Sequence, residues 1–191
     1  ALALLTGCGK EPLYQEQSYV FGTIVEVSIY GAQEPQARQG AASVMREFQR
    51  LHDLLHAWKP SAISDLNAAI AQGKPATVSA ELAAMLQDAA QLSAQSGGLF
   101  NPAIGGLIQL WGFQADEFNA LPPDDEQVAR LVASNPQMSD LIFENGTVRS
   151  RNPAVQLDLG GYAKGYALDR AASILKQQGI RNALVNIGGN V

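Results

Sequence analysis

Leu157-Asp158-Leu159-Gly160-Gly161-Tyr162-Ala163-Lys164-Gly165-Tyr166-Ala167-Leu168-Asp169 is the stretch around which the rest of the chain organises. Val155, Leu157 and Leu159 alternate with other residues, which predicts a strand over Val155–Leu159. Gly160-Gly161 then predicts a turn into a helix from about Ala163 to Gln178, stopped by Gly179. On that reading the strand delivers Asp158 to a helix N-terminus, where free N–H groups and the helix dipole attract an anion. Lys164 adds a positive charge in the first turn, a position where the dipole disfavours it, so another benefit is needed to keep it there. The spacing fits equally well a glycine-rich turn that only packs tightly. It is neither the G-x-G-x-x-G dinucleotide fingerprint nor a phosphate-binding Walker loop.

Outward from this stretch, Val20–Tyr30 is rich in Val, Ile and Thr, with Thr23, Val25, Val27 and Ile29 on one face, and predicts a strand. Ala41, Val44, Met45, Phe48, Leu51 and Leu55 recur at helical spacing and predict an amphipathic helix ending near His56. Ser79 can cap a second helix through Ser96, closed by Gly97-Gly98, and a third, shorter one fits Asp125–Ala133. Asn145-Gly146 between Leu141–Glu144 and Thr147–Ser150 is a strong hairpin signal, and Ala183–Ile187 is a last strand. Helices and strands mix without strict βαβ alternation, so the expectation is an α+β fold, a mixed sheet with packed helices. The last strand has no capping element after it, as if the chain stopped inside a domain.

The 191 residues suit one domain or one and a half, and 47% apolar with 16% charged residues is an ordinary globular balance. A net charge of -5 and no basic run argue against a nucleic-acid partner. No apolar run approaches the about 20 residues that a membrane-spanning helix requires. Cys8 is the single cysteine, so an internal disulfide and a cysteine-based zinc site are excluded. Leu5-Thr6-Gly7-Cys8 follows an apolar run and resembles a lipobox, in which the cysteine is lipidated. Residues 1–8 then read as the remnant of a lipoprotein signal peptide, 9–18 as a polar tether and 19–191 as the folded domain.

A second glycine-rich stretch runs from Gly97-Gly98-Leu99-Phe100-Asn101-Pro102 through Gly105-Gly106 to Leu110-Trp111-Gly112-Phe113. A flat ligand could use such an apolar wall, with the Asn101 amide as donor and acceptor. Trp111 and Phe113 read as core aromatics. Trp58, in a loop before Lys59-Pro60, suits either a stacking partner or the edge of the core. His52 and His56 have a spacing compatible with a metal but no third ligand nearby, and read as solvated surface residues. No Ser-His-Asp or Cys-His grouping suggests a hydrolase.

Taken in order, these blocks resemble the FAD:protein FMN transferase family, also called ApbE. The resemblance runs from about Tyr19 to Val191 through Phe21-Gly22-Thr23, Leu54-Leu55-His56-Ala57-Trp58 with Ser64-Asp65-Leu66-Asn67, Phe100-Asn101-Pro102 to Phe113, Asp158 to Asp169, and Asn186 to Val191. It implies an enzyme that cleaves FAD with Mg²⁺, attaches FMN through a phosphoester to a Thr or Ser hydroxyl of an acceptor protein, and releases AMP. Acceptors would be flavin-carrying subunits of membrane redox complexes. The enzyme itself would be tethered by lipid on Cys8 to the periplasmic side of a bacterial membrane, the inner membrane ranked before the outer. By position, Asp158 and Lys164 would be catalytic and contact FAD, and the Gly161 carbonyl would bind Mg²⁺. Phe21, Trp58, Leu99, Phe100 and Asn101 would line the flavin and adenine pockets. The sequence departs from the family's usual Met at Phe21 and usual Asp at Asn101. The family's distal His-x-x-Asp-Pro-x-Thr-Gly segment and later Asp and Thr metal ligands would fall beyond Val191, which implies weak Mg²⁺ binding by these residues alone. A flavin-binding lipoprotein without transfer activity, or a Mg²⁺-dependent FAD pyrophosphatase, would use the same pocket.

Overall fold

The computed structural model describes residues 11–115 and 121–191. The lipobox at Cys8 lies outside the described residues. The chain divides into two compact units, Ala1–His52 with Lys164–Val191, and Asp53–Ala163.

In the first unit, β1 (Leu13–Val20) and β2 (Thr23–Tyr30) form an antiparallel hairpin, and β6 (Ala183–Ile187) pairs antiparallel with the other edge of β2. The polar tether expected over residues 9–18 is therefore strand from Leu13 onward. Its sequence hides this because β1 is an exposed edge strand, held by backbone pairing and by polar cross-strand contacts such as Gln15 Nε2 to Ser28 Oγ at 3.1 Å. The single strand expected over Val20–Tyr30 is broken at Phe21-Gly22, whose φ values of 56° and 72° make a two-residue hairpin turn. Val25, Val27 and Ile29 of β2 are buried, as the alternation requires.

Helix α1 (Glu34–Leu55) begins earlier than its apolar periodicity suggested, because Pro35 is tolerated in a first turn whose N–H groups lack partners anyway. It buries Ala37, Ala41, Val44, Phe48 and Leu51, spaced three or four apart. Within the first unit, α6 (Gly160–Gln177) contributes buried Ala167, Ala171 and Leu175, with Ile180 after the Gly179 stop. Glu47, on α1, accepts from Arg50 Nε and from Arg170 Nε on α6, both at 2.9 Å.

The second unit is mostly helical. Ser61 caps α2 (Ala62–Ala71), and Ser64 returns the bond to the cap backbone. This helix was not anticipated. α3 (Ala80–Gln95) is capped by Ser79 as expected, and α4 (Gly105–Leu110) is short. α5 (Asp125–Ser134) and a single 3₁₀ turn at Met138–Asp140 lead to β4 (Leu141–Glu144) and β5 (Thr147–Ser150). β4 and β5 pair with the two-residue β3 (Ala76–Thr77) in an antiparallel sheet ordered β3-β5-β4. Ile63, Leu66, Ile70, Leu82, Met85, Leu86 and Leu157 are fully buried among these elements.

The fold is α+β, with two small antiparallel sheets among the described residues rather than one mixed sheet; a parallel pairing occurs there as an isolated bridge between Ile104 and Gln156. Val155–Leu159 forms no strand. Its backbone groups pair with a loop and a side chain instead of a ladder, and α6 starts at Gly160, earlier than the glycine pair suggested. Among the described residues no helix is long and apolar enough to cross a membrane.

The two arginines hold the Glu47 carboxyl down to about 2, with the Arg50 hydrogen bond the largest cause, against an ordinary 4.5. A depressed carboxylate value means that this contribution to stability is complete above about pH 4.5 and is lost as pH falls through about 2. Glu47→Gln should lower stability by about 1–2 kcal/mol at pH 7, discounted for the solvent-exposed arginines. Chemical denaturation of both forms at pH 7 and near pH 2 checks this, because the difference should shrink at the acid end.

Candidate functional site

Leu157 is locked in place by the side chain of Asn67 on α2. Asn67 Nδ2 donates to the Leu157 carbonyl at 2.9 Å, and Asn67 Oδ1 accepts from the Leu157 N–H at 2.7 Å. On the other side of the same segment, the loop ahead of α4 runs alongside it. Asp158 N–H donates to the Pro102 carbonyl at 2.9 Å, Gln156 N–H to that of Ala103 at 3.2 Å, and Gly105 N–H to that of Gln156 at 2.7 Å. The two glycine-rich stretches singled out in the sequence are thus stitched together. Gly105 makes this approach possible, since a Cβ there would lie 2.6 Å from the Gln156 carbonyl oxygen.

Asp158, held on both flanks, turns its carboxylate to the start of α6. Its Oδ1 accepts the Gly160 N–H at 2.8 Å, and its Oδ2 accepts from Gln114 Nε2 at 2.7 Å. The Tyr162 and Ala163 N–H groups both donate to the Leu159 carbonyl, at 2.9 and 2.8 Å. Of the first four N–H groups of α6, only that of Gly161 finds no partner among the described residues. The open anion-binding helix end expected from the sequence is therefore largely filled, and a carboxylate already caps it. Gly161 lies inside the helix rather than in a glycine turn, so its carbonyl points along the helix axis. Phe100 flanks it, with Cε2 at 3.7 Å from where a Gly161 Cβ would stand. Tyr162 ties α6 to α3 by donating its hydroxyl to Asp88 at 2.8 Å.

The other expected residues fall as follows. Asn101 spends its amide inside the second unit, donating to the Pro136 carbonyl 35 residues on at 2.9 Å and accepting from Ala103 N–H at 3.1 Å, so it joins two loops instead of reaching outward. Leu99 is 94% exposed. Trp111 and Phe113, expected in the core, are 46% and 63% exposed, because α4 is too short to turn them under. Trp58 is half-exposed, its ring edge-on to His56 at 4.4 Å. In the first unit, Phe21 holds φ 56°, a strained value for a bulky residue, with its ring 6.0 Å from that of Phe48 and 5.8 Å from that of His52. His52 and His56 are thus half-buried ring partners and not solvated surface groups. Lys164 also belongs to the first unit, on α6. No group of three or more His, Cys, Asp or Glu suited to a metal exists among the described residues. An open groove of about 410 Å³ in the first unit, lined by Leu168, Ala172, Leu175, Ile180 and Leu184, includes none of the expected site residues.

A sequence profile of the ApbE family matches residues 21–191. The chain belongs to the ApbE family. Among its curated relatives, a FAD:protein FMN transferase of Rhodobacter capsulatus is 47% identical over 180 residues, covering 94% of this chain and 34% of the relative. One from Klebsiella pneumoniae is 33% identical over 182 residues, covering 94% and 55%. One from Treponema pallidum is 32% identical over 186, covering 93% and 51%. The ApbE protein of Thermotoga maritima superposes with a TM-score of 0.80 at 26% identity, covering 87% of this chain and 53% of that one. The flavin transferase ApbE of Vibrio cholerae does so at 0.78 and 26%, covering 93% and 58%. The chain spans between a third and somewhat over half the length of the curated relatives it matches here.

Two residues that the sequence left without a role hold the 157–158 segment. Asn67 was visible only as part of a matching block, and nothing local marks it as a clamp on a segment 90 residues away. Gln114 carried one weak signal, a polar residue closing the apolar Trp111-Gly112-Phe113 run.

Gly105→Ala should cost about 2 kcal/mol or more, since backbone must move to admit the methyl group. Asn67→Ala strips two partners from buried Leu157 backbone and should cost about 2–4 kcal/mol. Thermal unfolding of both variants beside Asn67→Asp, which retains only the acceptor, checks the assignment; Asn67→Asp should still be destabilised.

Proposed function

We propose that the protein transfers the FMN half of FAD to a Thr or Ser hydroxyl of an acceptor protein and releases AMP. The observation carrying this reading is the 47% identity, over 94% of the chain, to a protein named FAD:protein FMN transferase. In the transfer, the acceptor oxygen forms a bond to the FMN phosphorus as the bond from that phosphorus to the bridging oxygen breaks; that oxygen leaves with AMP, and the hydroxyl proton passes to solvent.

The chain's own residues have defined tasks in this reading. The clamped 156–158 segment holds Asp158 rigidly, so FAD meets a fixed acceptor and ordering that side chain costs little on binding. Lys164 offers its ammonium to a phosphate of FAD. Leu99, Phe100, Trp111 and Phe113 present apolar surface for a ring system, as does Trp58, and Phe21 does so in the first unit.

Mg²⁺ is part of the proposal. Asp158 and the Gly161 carbonyl supply oxygens of the hard type it favours but fall short of an octahedral set, so the remaining ligands would come from FAD's phosphates, water and residues outside those described. When bound, the ion would neutralise pyrophosphate charge. The resemblance also supports lipidation at Cys8, a periplasmic location, and acceptors that are flavin-carrying subunits of membrane redox complexes.

Mixing the full natural polypeptide with FAD, Mg²⁺ and an acceptor flavoprotein should produce a flavin-fluorescent acceptor band on a denaturing gel, abolished by EDTA. Bound FAD with no labelled band would refute transfer, and an AMP assay would then separate a pyrophosphatase from a carrier. Asp158→Ala should weaken FAD binding and abolish labelling, and should also cost about 1 kcal/mol of stability through the lost cap on α6. Lys164→Ala should weaken FAD binding by about 1.5–3 kcal/mol while leaving unfolding unchanged, as read by flavin fluorescence titration.

A further inference from the structure

Gln114 follows Trp111-Gly112-Phe113 at the end of α4, and its side chain is nine-tenths buried, at 9% exposure. Nε2 donates to Asp158 Oδ2 at 2.7 Å. Oε1 is also buried, yet it accepts nothing among the described residues. The opposite amide orientation would set this oxygen against the Asp158 carboxylate, so Asp158 itself determines which way the amide points. A buried acceptor without a partner is costly and rare, and its persistence calls for an explanation.

The surroundings narrow what that partner can be. Asp158 and Gln114 Oε1 present acceptors only, and the carboxylate already occupies the N-terminus of α6. A phosphate could approach Asp158 only through a cation, whereas Gln114 Oε1 itself calls for a neutral donor. The Phe100 ring beside Gly161, at the helix start that Asp158 caps, offers apolar surface, which suits the edge of a flat heterocycle better than a hydrated hydroxyl.

We propose that Gln114 is a binding and positioning residue whose Nε2 orients Asp158 and whose Oε1 accepts an N–H from one of the two ring systems of FAD. The proposal rests on the FAD reading above. FAD carries two such donors, the flavin imide N–H and the adenine 6-amino group, and the chemistry at Oε1 is the same for either. Polar recognition of this kind gives sharp selectivity, because a ligand without the donor leaves the buried oxygen unpaired.

The test measures FAD affinity by flavin fluorescence and calorimetry on the full natural polypeptide, alongside unfolding without ligand. Gln114→Leu should raise the FAD Kd about tenfold, the scale of one lost hydrogen bond. FAD methylated at flavin N3, or FAD with a dimethylated adenine amino group, should lose a similar factor on the wild type. The analogue that does so identifies the ring, and its loss should not compound with Gln114→Leu, a coupling that a purely structural role would not produce. Wild-type affinity for both analogues would overturn the proposal even if Gln114→Leu failed to fold, and would leave FAD recognition through Asp158 intact. An unchanged Kd for Gln114→Leu would overturn it as well. Failure of the wild type to bind FAD would instead remove the reading on which the proposal rests, and the proposal with it.

Discussion

The backbone of residues 156–158 makes no regular ladder, and the geometry of the site depends on what holds it instead. The Asn67 amide grips Leu157 through both donor and acceptor, while Pro102, Ala103 and Gly105 bond the same segment from the other side. These bonds satisfy backbone groups that burial would otherwise leave unpaired, a cost that a helix or sheet normally removes. With its flanks held, Asp158 has little freedom. Its carboxylate meets the Gly160 N–H and the Gln114 amide, and α6 begins where that carboxylate caps it.

This arrangement changes the electrostatic character of the helix end. A glycine-rich entry to a helix suggests a phosphate cradle, but here the cap is an acidic side chain and most of the first N–H groups are already engaged. This end of the second unit is therefore rich in acceptors, at Asp158 and at Gln114 Oε1.

Much of the secondary structure was legible because it follows local rules. Ser79 marked the start of α3, Asn145-Gly146 the β4–β5 hairpin, and Gly179 the end of α6. The errors share a cause, which is that the deciding partner lay far away in sequence. β1 looked like a tether because its polar residues form an edge strand, stabilised by pairing with β2 more than by burying its own side chains. Val155–Leu159 looked like a strand because its alternating residues are buried, yet its neighbours are a loop and an asparagine. Trp111 and Phe113 looked like core residues because hydrophobicity carries no information about how short α4 would be.

By itself the sequence determined the order of the blocks and hence the family, because a series of matching motifs needs no knowledge of their contacts. Tertiary structure alone decided how those residues are used. It committed Asn101 to the Pro136 carbonyl and the Ala103 N–H, placed Phe21 in a strained turn beside His52, and turned Asn67 into the clamp of a distant segment. It also aimed the Gln114 amide at Asp158 and left its oxygen without a partner among the described residues. The physical reason is that hydrogen bonds with good geometry require groups within about 3 Å of each other. Only the folded chain brings together partners that lie tens of residues apart.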